Sequence, residues 1–205
     1  FDAGGFDYDY LLNPDLQLTD WGGDTGENGP HYGASYLFMT YFLDRFGEDA
    51  TKALVAHKEN GLVSLESVMR ELSLINPSSS AIYTADEVFM DWAVTNYLLD
   101  PSLENGRYDY QSYSPSRARA SRSFSSCPAS AVTDVNQYGV DYIEISCPGT
   151  YNLNFQGTTA VNILPLDENH NNTFFWSNLG DESNMSLQHT FDLSSVSGSA
   201  ELTFR

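Results

Sequence analysis

The chain reads as α+β: a helical subdomain followed by an antiparallel, β-sandwich-like segment. Three observations carry this reading. Residues 31–100 show helical spacing of apolar side chains with caps between the runs. Residues 135–205 switch to period-two alternation. A Ser/Arg-rich stretch separates the two regimes. The boundaries expected are a mainly helical unit over 1–112, a linker over 113–134, and an incomplete β domain over 135–205.

Residues 1–30 are rich in Gly, Asp and Asn with interspersed aromatics. Phe6, Tyr8, Tyr10, Leu11 and Leu12 make a short helix or strand that stops at Asn13-Pro14. The main helix is His31-Tyr-Gly-Ala-Ser-Tyr-Leu-Phe-Met-Thr-Tyr-Phe-Leu-Asp-Arg-Phe-Gly47. Its apolar residues form more than one stripe, so burial on most sides is expected. Gly47 suits a left-handed C-cap. His31 and Tyr32 stand at its N-terminal mouth, where polar groups either cap the helix or line a site.

A second helix is expected from Glu48 to Asn60, with Gly61 as its stop. A third begins at Ser64 as N-cap and carries Leu65, Val68, Met69 and Leu72 on one face. Thr84-Ala-Asp-Glu87 is a capping box opening a fourth, which ends at Asp100-Pro101. Asn105-Gly106 is a turn signal. Ser114 to Ser126 then holds Arg117, Arg119 and Arg122, a third of the nine basic residues. It is read as a solvated linker, with an acid-docking strip or a protease-sensitive connector as the alternatives. Beyond it, Tyr151, Leu153 and Phe155, then Leu187, His189 and Phe191, then Ala200, Leu202 and Phe204 alternate with polar residues, as strands with one wet face do. The last run stops at Arg205 in mid-strand, which leaves an edge open to self-association through β pairing. The opening Phe1-Asp-Ala-Gly-Gly reads as the middle of a longer or processed chain.

The 205 residues carry a formal charge of −19, with lysine only at 52 and 58. Such a chain is repelled by nucleic acid and by anionic membranes. No segment has the length or apolarity of a membrane span, so no membrane insertion is expected. Acidity with few lysines fits a secreted or cell-surface protein, or one that binds divalent cations. Cys127 and Cys147 lack metal-site spacing. They form a disulfide in an oxidising setting, or a buried free pair otherwise. Asp181-Glu182 lies in an acidic turn, Asp181-Glu-Ser-Asn184, that holds calcium between strand ends or is an ordinary Asx-rich turn. No His-Glu-x-x-His, G-x-S-x-G, P-loop or dinucleotide fingerprint occurs.

Several stretches, in order, resemble one family. They are Asn13-Pro-Asp15 with Gln17-Leu-Thr-Asp-Trp21, His31 to Phe38, Asp44-Arg-Phe-Gly47, Asp91-Trp-Ala93 with Asn96-Tyr-Leu98, and Gly106-Arg-Tyr108. Phe175-Trp-Ser-Asn178, Met185-Ser-Leu187 and Phe191-Asp-Leu193 continue the pattern. Together they look like secreted bacterial zinc metallopeptidases of the immune-inhibitor-A type, from just downstream of the zinc site into the following β-sandwich. The resemblance implies a complete protein that hydrolyses peptide bonds of a protein or peptide substrate with a zinc-activated water. The zinc ligands, two histidines of His-Glu-x-x-His and a later glutamate, are absent from this chain. They would belong to an upstream part of the same precursor. The resemblance also implies a donor near the developing oxyanion, for which His31 and Tyr32 are the candidates. The competing expectation is a non-catalytic structural or adhesive surface protein, a self-assembling filament component on the same scaffold.

Overall fold

Helix α2 (Gly29–Ala56) is the axis of the molecule, and α1 (Phe6–Leu12) lies across its first turns. The computed structural model describes residues 4–18, 21, 28–150 and 152–157, with the backbone of 161–162, 175–176 and 187–190. Helices α3 (Gly61–Glu71) and α4 (Ala85–Leu98) complete the helical part, followed by a 3₁₀ turn at Leu103–Asn105.

The crossing of α1 on α2 depends on Gly33, one turn along from Gly29. A Cβ on Gly33 would sit 1.9 Å from the Phe6 carbonyl oxygen and 2.5 Å from the Asp7 nitrogen. Backbone therefore meets backbone, and only hydrogen fits between them. At Gly29 the nearest atom is the Phe6 ring edge at 2.9 Å. This close approach drives Tyr10 and Leu11 into the core, where Tyr10 stacks on Trp92 at 5.6 Å between ring centroids.

Ala34, Leu37 and Tyr41 of α2 share that core with Tyr10, Leu11, Phe89 and Trp92. Phe42 faces a second cluster with Leu65, Met69, Tyr83 and Val88. The opposite side of α2 is open rather than buried: Tyr32 and Leu43 are exposed. Gly47 interrupts the helix at φ +82°, and a further two turns follow to Ala56. A residue without Cβ is needed there because L side chains are strained at positive φ.

Helix α3 starts earlier than its sequence suggests. Asn60 is the N-cap, and Ser64 sits inside the helix, buried, donating its hydroxyl to the Gly61 carbonyl at 2.7 Å. The Thr84–Glu87 capping box on α4 is present in both directions, with Glu87 N–H to Thr84 Oγ1 at 3.1 Å and Thr84 N–H to Glu87 Oε2 at 2.8 Å. α4 is buried along almost its whole length and ends at Leu99 in the left-handed region.

The α+β class holds, but the described strands do not make an antiparallel sandwich. β1 (Arg122–Phe124) pairs in parallel with β2 (Ile143–Ile145), Arg122 opposite Ile143. β1 lies within the Ser/Arg stretch. That segment is not suspended in solvent: Ala118 is buried, its N–H donates to the Asn96 carbonyl at 2.8 Å, and Arg119 N–H donates to the Leu11 carbonyl at 2.8 Å. Tyr142, immediately before β2, is buried and donates its hydroxyl to the Ala93 carbonyl. Both strands thus run in the same direction off the face of α4, and this docking explains the parallel pairing.

Two antiparallel pairs do occur. β3 (Asn152–Phe155) pairs with β6 (Leu187–Thr190), and β4 (Val161–Asn162) with β5 (Phe175–Trp176). The alternating runs at 151–155 and 187–191 are therefore partners, with Leu153 opposite His189. Each described sheet has two strands. The expected run at 200–204 lies outside the described residues. No helix among the described residues is long and apolar enough to cross a membrane.

Candidate functional site

The N-terminal mouth of α2 separates the two residues that the sequence placed there together. Consecutive helical residues point about 100° apart. His31 faces inward, 6% exposed, with Nε2 3.2 Å from the Gln17 carbonyl oxygen. Tyr32 faces outward and is 57% exposed. Trp21 contacts both: its ring lies 5.1 Å from that of His31 and 5.0 Å, edge-on, from that of Tyr32. The Phe6 ring also stands 6.3 Å from that of Tyr32. The mouth is thus an aromatic surface with a phenol on its outer rim and a histidine fixed beneath. Phe6 could not be assigned to this surface from spacing alone, because its approach depends on the backbone contact at Gly33.

A second polar constellation is internal. Arg107 is 2% exposed and Asp91 3%. Arg107 binds Asp91 with both ends of its guanidinium fork, Nε to Oδ2 at 2.7 Å and Nη2 to Oδ1 at 2.9 Å. It also donates to Ser78 Oγ and to Asn76 Oδ1. Tyr83 donates to Asp91 at 3.2 Å, and Asn76 Nδ2 donates to Glu87 at 3.0 Å. The Tyr83 and Tyr108 rings flank the guanidinium at 5.8 and 5.5 Å. Burial opposes the Arg107 charge, but Asp91 more than offsets it and holds the guanidinium above its ordinary value. Burial, then Asp91, pushes the Tyr83 phenol up to about 12. Every strong donor and acceptor of this pair is occupied, so its work is to join the 76–83 loop, α4 and the 106–108 turn. The resemblance motifs Asp91-Trp-Ala93 and Gly106-Arg-Tyr108 are therefore two halves of one structural lock.

A groove of about 430 Å³ lies between α3 and the start of α4, walled by Leu62, Val63, Glu66, Arg70, Asp86 and Tyr138. Its charges are already engaged. Glu66 accepts from the Ala85 N–H at 2.7 Å and pairs with Arg70 at 2.6 Å, and Tyr138 donates to Asp86 at 2.9 Å. Burial and then Glu66 raise the Asp86 carboxyl, against the Tyr138 hydrogen bond.

Cys127 and Cys147 form a disulfide with Cα atoms 5.8 Å apart. It closes just beyond the ends of β1 and β2. Asp181 and Glu182, the calcium candidates, lie outside the described residues. Among the described residues no three His, Cys, Asp or Glu side chains are grouped to hold a metal, so they offer no ligand set for zinc. Comparison with protein-family models, with curated proteins and with solved structures finds no match.

Proposed function

We propose that the chain is the C-terminal part of a secreted metallopeptidase-like protein of the immune-inhibitor-A type: a helical half-domain followed by the first strands of a β-sandwich. The zinc of the complete protein would be held by residues outside this chain. The observation that supports a working role for the half-domain is the outward set of Tyr32, a phenol in ring contact with Trp21 and Phe6 at the open end of α2. A phenol in that position can donate a hydrogen bond to an oxyanion as it develops on a substrate carbonyl. His31, buried and engaged by the Gln17 carbonyl, positions the helix mouth instead. The disulfide suits an oxidising, extracellular setting.

The test uses the intact encoded protein. The reading expects a His-Glu-x-x-His helix upstream of Phe1 and casein hydrolysis that a chelator abolishes. Tyr32→Phe should lower kcat by about 10²-fold with KM little changed, the size of losing one oxyanion donor. Absence of the upstream motif refutes the catalytic reading; a Tyr32→Phe enzyme with unchanged kcat refutes the role of Tyr32.

A second reading is a non-catalytic, self-assembling surface protein. It is favoured by the two-stranded sheets, whose outer edges no described strand covers. It expects concentration-dependent assembly in light scattering; a monomer at high concentration, with and without calcium, counts against it.

A further inference from the structure

The structure assigns residues 128–132 as a cleavage site for endoproteases that take small aliphatic side chains, the cut leaving a two-chain protein held by Cys127–Cys147. The sequence offered a protease-sensitive connector at Ser114 to Ser126 as one alternative to a solvated linker. The geometry moves the sensitive segment about ten residues downstream. Ala118 and Arg119 have their backbone N–H groups bonded to the Asn96 and Leu11 carbonyls, and Ser121 N–H is bonded to the Tyr142 carbonyl. Arg122 to Phe124 is paired with β2. A protease needs several residues of extended, unbonded chain, so each of these bonds must open before cleavage.

Residues 125–137, by contrast, are exposed without interruption. Among the described residues, 125–131 make no hydrogen bond with the rest of the chain, and Val132 is 87% exposed. The first anchors beyond them are the Arg122 guanidinium on the Val132 carbonyl, Thr133 on Asp141, and Asp15 accepting the Asn136 N–H at 2.7 Å. The exposed run is Pro128-Ala-Ser-Ala-Val132, small and aliphatic, with no Lys or Arg. Exposed segments of small residues are the preferred places for nicking. An elastase-type enzyme matches these side chains; a trypsin-type enzyme has nothing to bind.

Hydrolysis adds one water across one peptide bond, leaving a carboxylate on the residue before it and an amine on the residue after. Both products stay in place. The disulfide spans the cut, and downstream of it Tyr142 remains buried against Ala93 and β2 remains paired with β1.

The experiment treats the folded protein with elastase or trypsin at low ratio and resolves the products with and without reductant. Elastase should give one early cut within 129–132, visible only after reduction and located by mass and N-terminal sequencing. Cleavage by trypsin after Arg117 and Arg119 should be at least about tenfold slower, since each protecting hydrogen bond lowers the open population by roughly twofold to tenfold and several must open together. The variant A129D/A131D/V132D, changed only at exposed positions, should fold normally and lose the elastase cut. The assignment falls if elastase leaves the folded chain intact while digesting the denatured one. It also falls if trypsin cuts after Arg117 or Arg119 first, or if the nicked halves separate without reductant.

Discussion

Gly33→Ala is the sharpest probe of how the helix mouth is built. The added Cβ would lie 1.9 Å from the Phe6 carbonyl oxygen and 2.5 Å from the Asp7 nitrogen. Ordinary contact needs about 3.4 Å, so α1 must lift by about 1.5 Å. A gap of that size forfeits a quarter to a half, or more, of the dispersion contacts across it. Tyr10 and Leu11, both essentially fully buried, contribute roughly 2 kcal/mol each through burial, so about 2 kcal/mol is lost. Strain adds about 1 kcal/mol, and the better helix propensity of alanine returns about the same. The net is about 2 kcal/mol of destabilisation, or a fall in Tm of about 4–8 °C for a chain of this size. Gly29→Ala is the control. Its Cβ meets only the edge of the Phe6 ring, which can rotate, so its stability should match or slightly exceed the parent. Urea unfolding followed by near-UV circular dichroism reads both, because Trp92 stacks on Tyr10 and senses α1 directly. A Gly33→Ala protein as stable as the parent, or a Gly29→Ala protein equally weakened, would refute the backbone-contact argument.

Other outcomes follow from the buried polar groups. Arg107→Met should cost about 3–5 kcal/mol by leaving Asp91 charged and alone, while the Arg107→Met/Asp91→Leu double variant should recover much of that loss in urea titrations. Thr84→Ala should cost about 1 kcal/mol, measured the same way, because it removes one half of the capping box. Asp86 is held above its ordinary value, so the folded state keeps its proton to higher pH than the unfolded chain does. Its contribution is fully favourable below the ordinary Asp range and is lost as pH rises through the raised value. Asp86→Asn, which keeps an acceptor for Tyr138, should therefore be more stable than the parent at pH 7. The two proteins should converge as the pH approaches 3, and a gap that widened on acidification would contradict the sign.

Much of the helical frame was legible because its signals are local. The Thr84–Glu87 box, the break at Gly47 and the stop at Asn13 each rest on a few adjacent residues, and each lies where the sequence put it. What was not legible depends on partners far along the chain. Ser64 looked like an N-cap because of its type, yet the loop geometry starts the helix at Gly61. The Ser/Arg stretch looked solvated because its side chains are polar; its backbone is what docks, on Asn96 and Leu11. Tyr138 and Tyr142 gave no periodic signal, and both pack against α4 or its N-terminus. The parallel β1–β2 pairing could not be inferred from alternation, which is blind to strand direction. At the mouth, the sequence could name His31 and Tyr32 but not rank them; one helical step turns one inward and the other out.

The Arg107 lock also bears on the order in which the chain assembles. Its guanidinium bonds join residues 16 to 31 apart, whereas the ties that hold the N-terminal segment reach 106 residues, from Tyr113 to Asp7, and 121, from Asn136 to Asp15. Closing a 121-residue loop costs about 2 kcal/mol more entropy than closing one of 16. The span from Asn76 to Tyr110 can therefore condense early around α4, and α1 docks onto a surface that already exists. Hydrogen exchange should find the reverse sequence, with α1 amides opening while those of α4 exchange only on global unfolding.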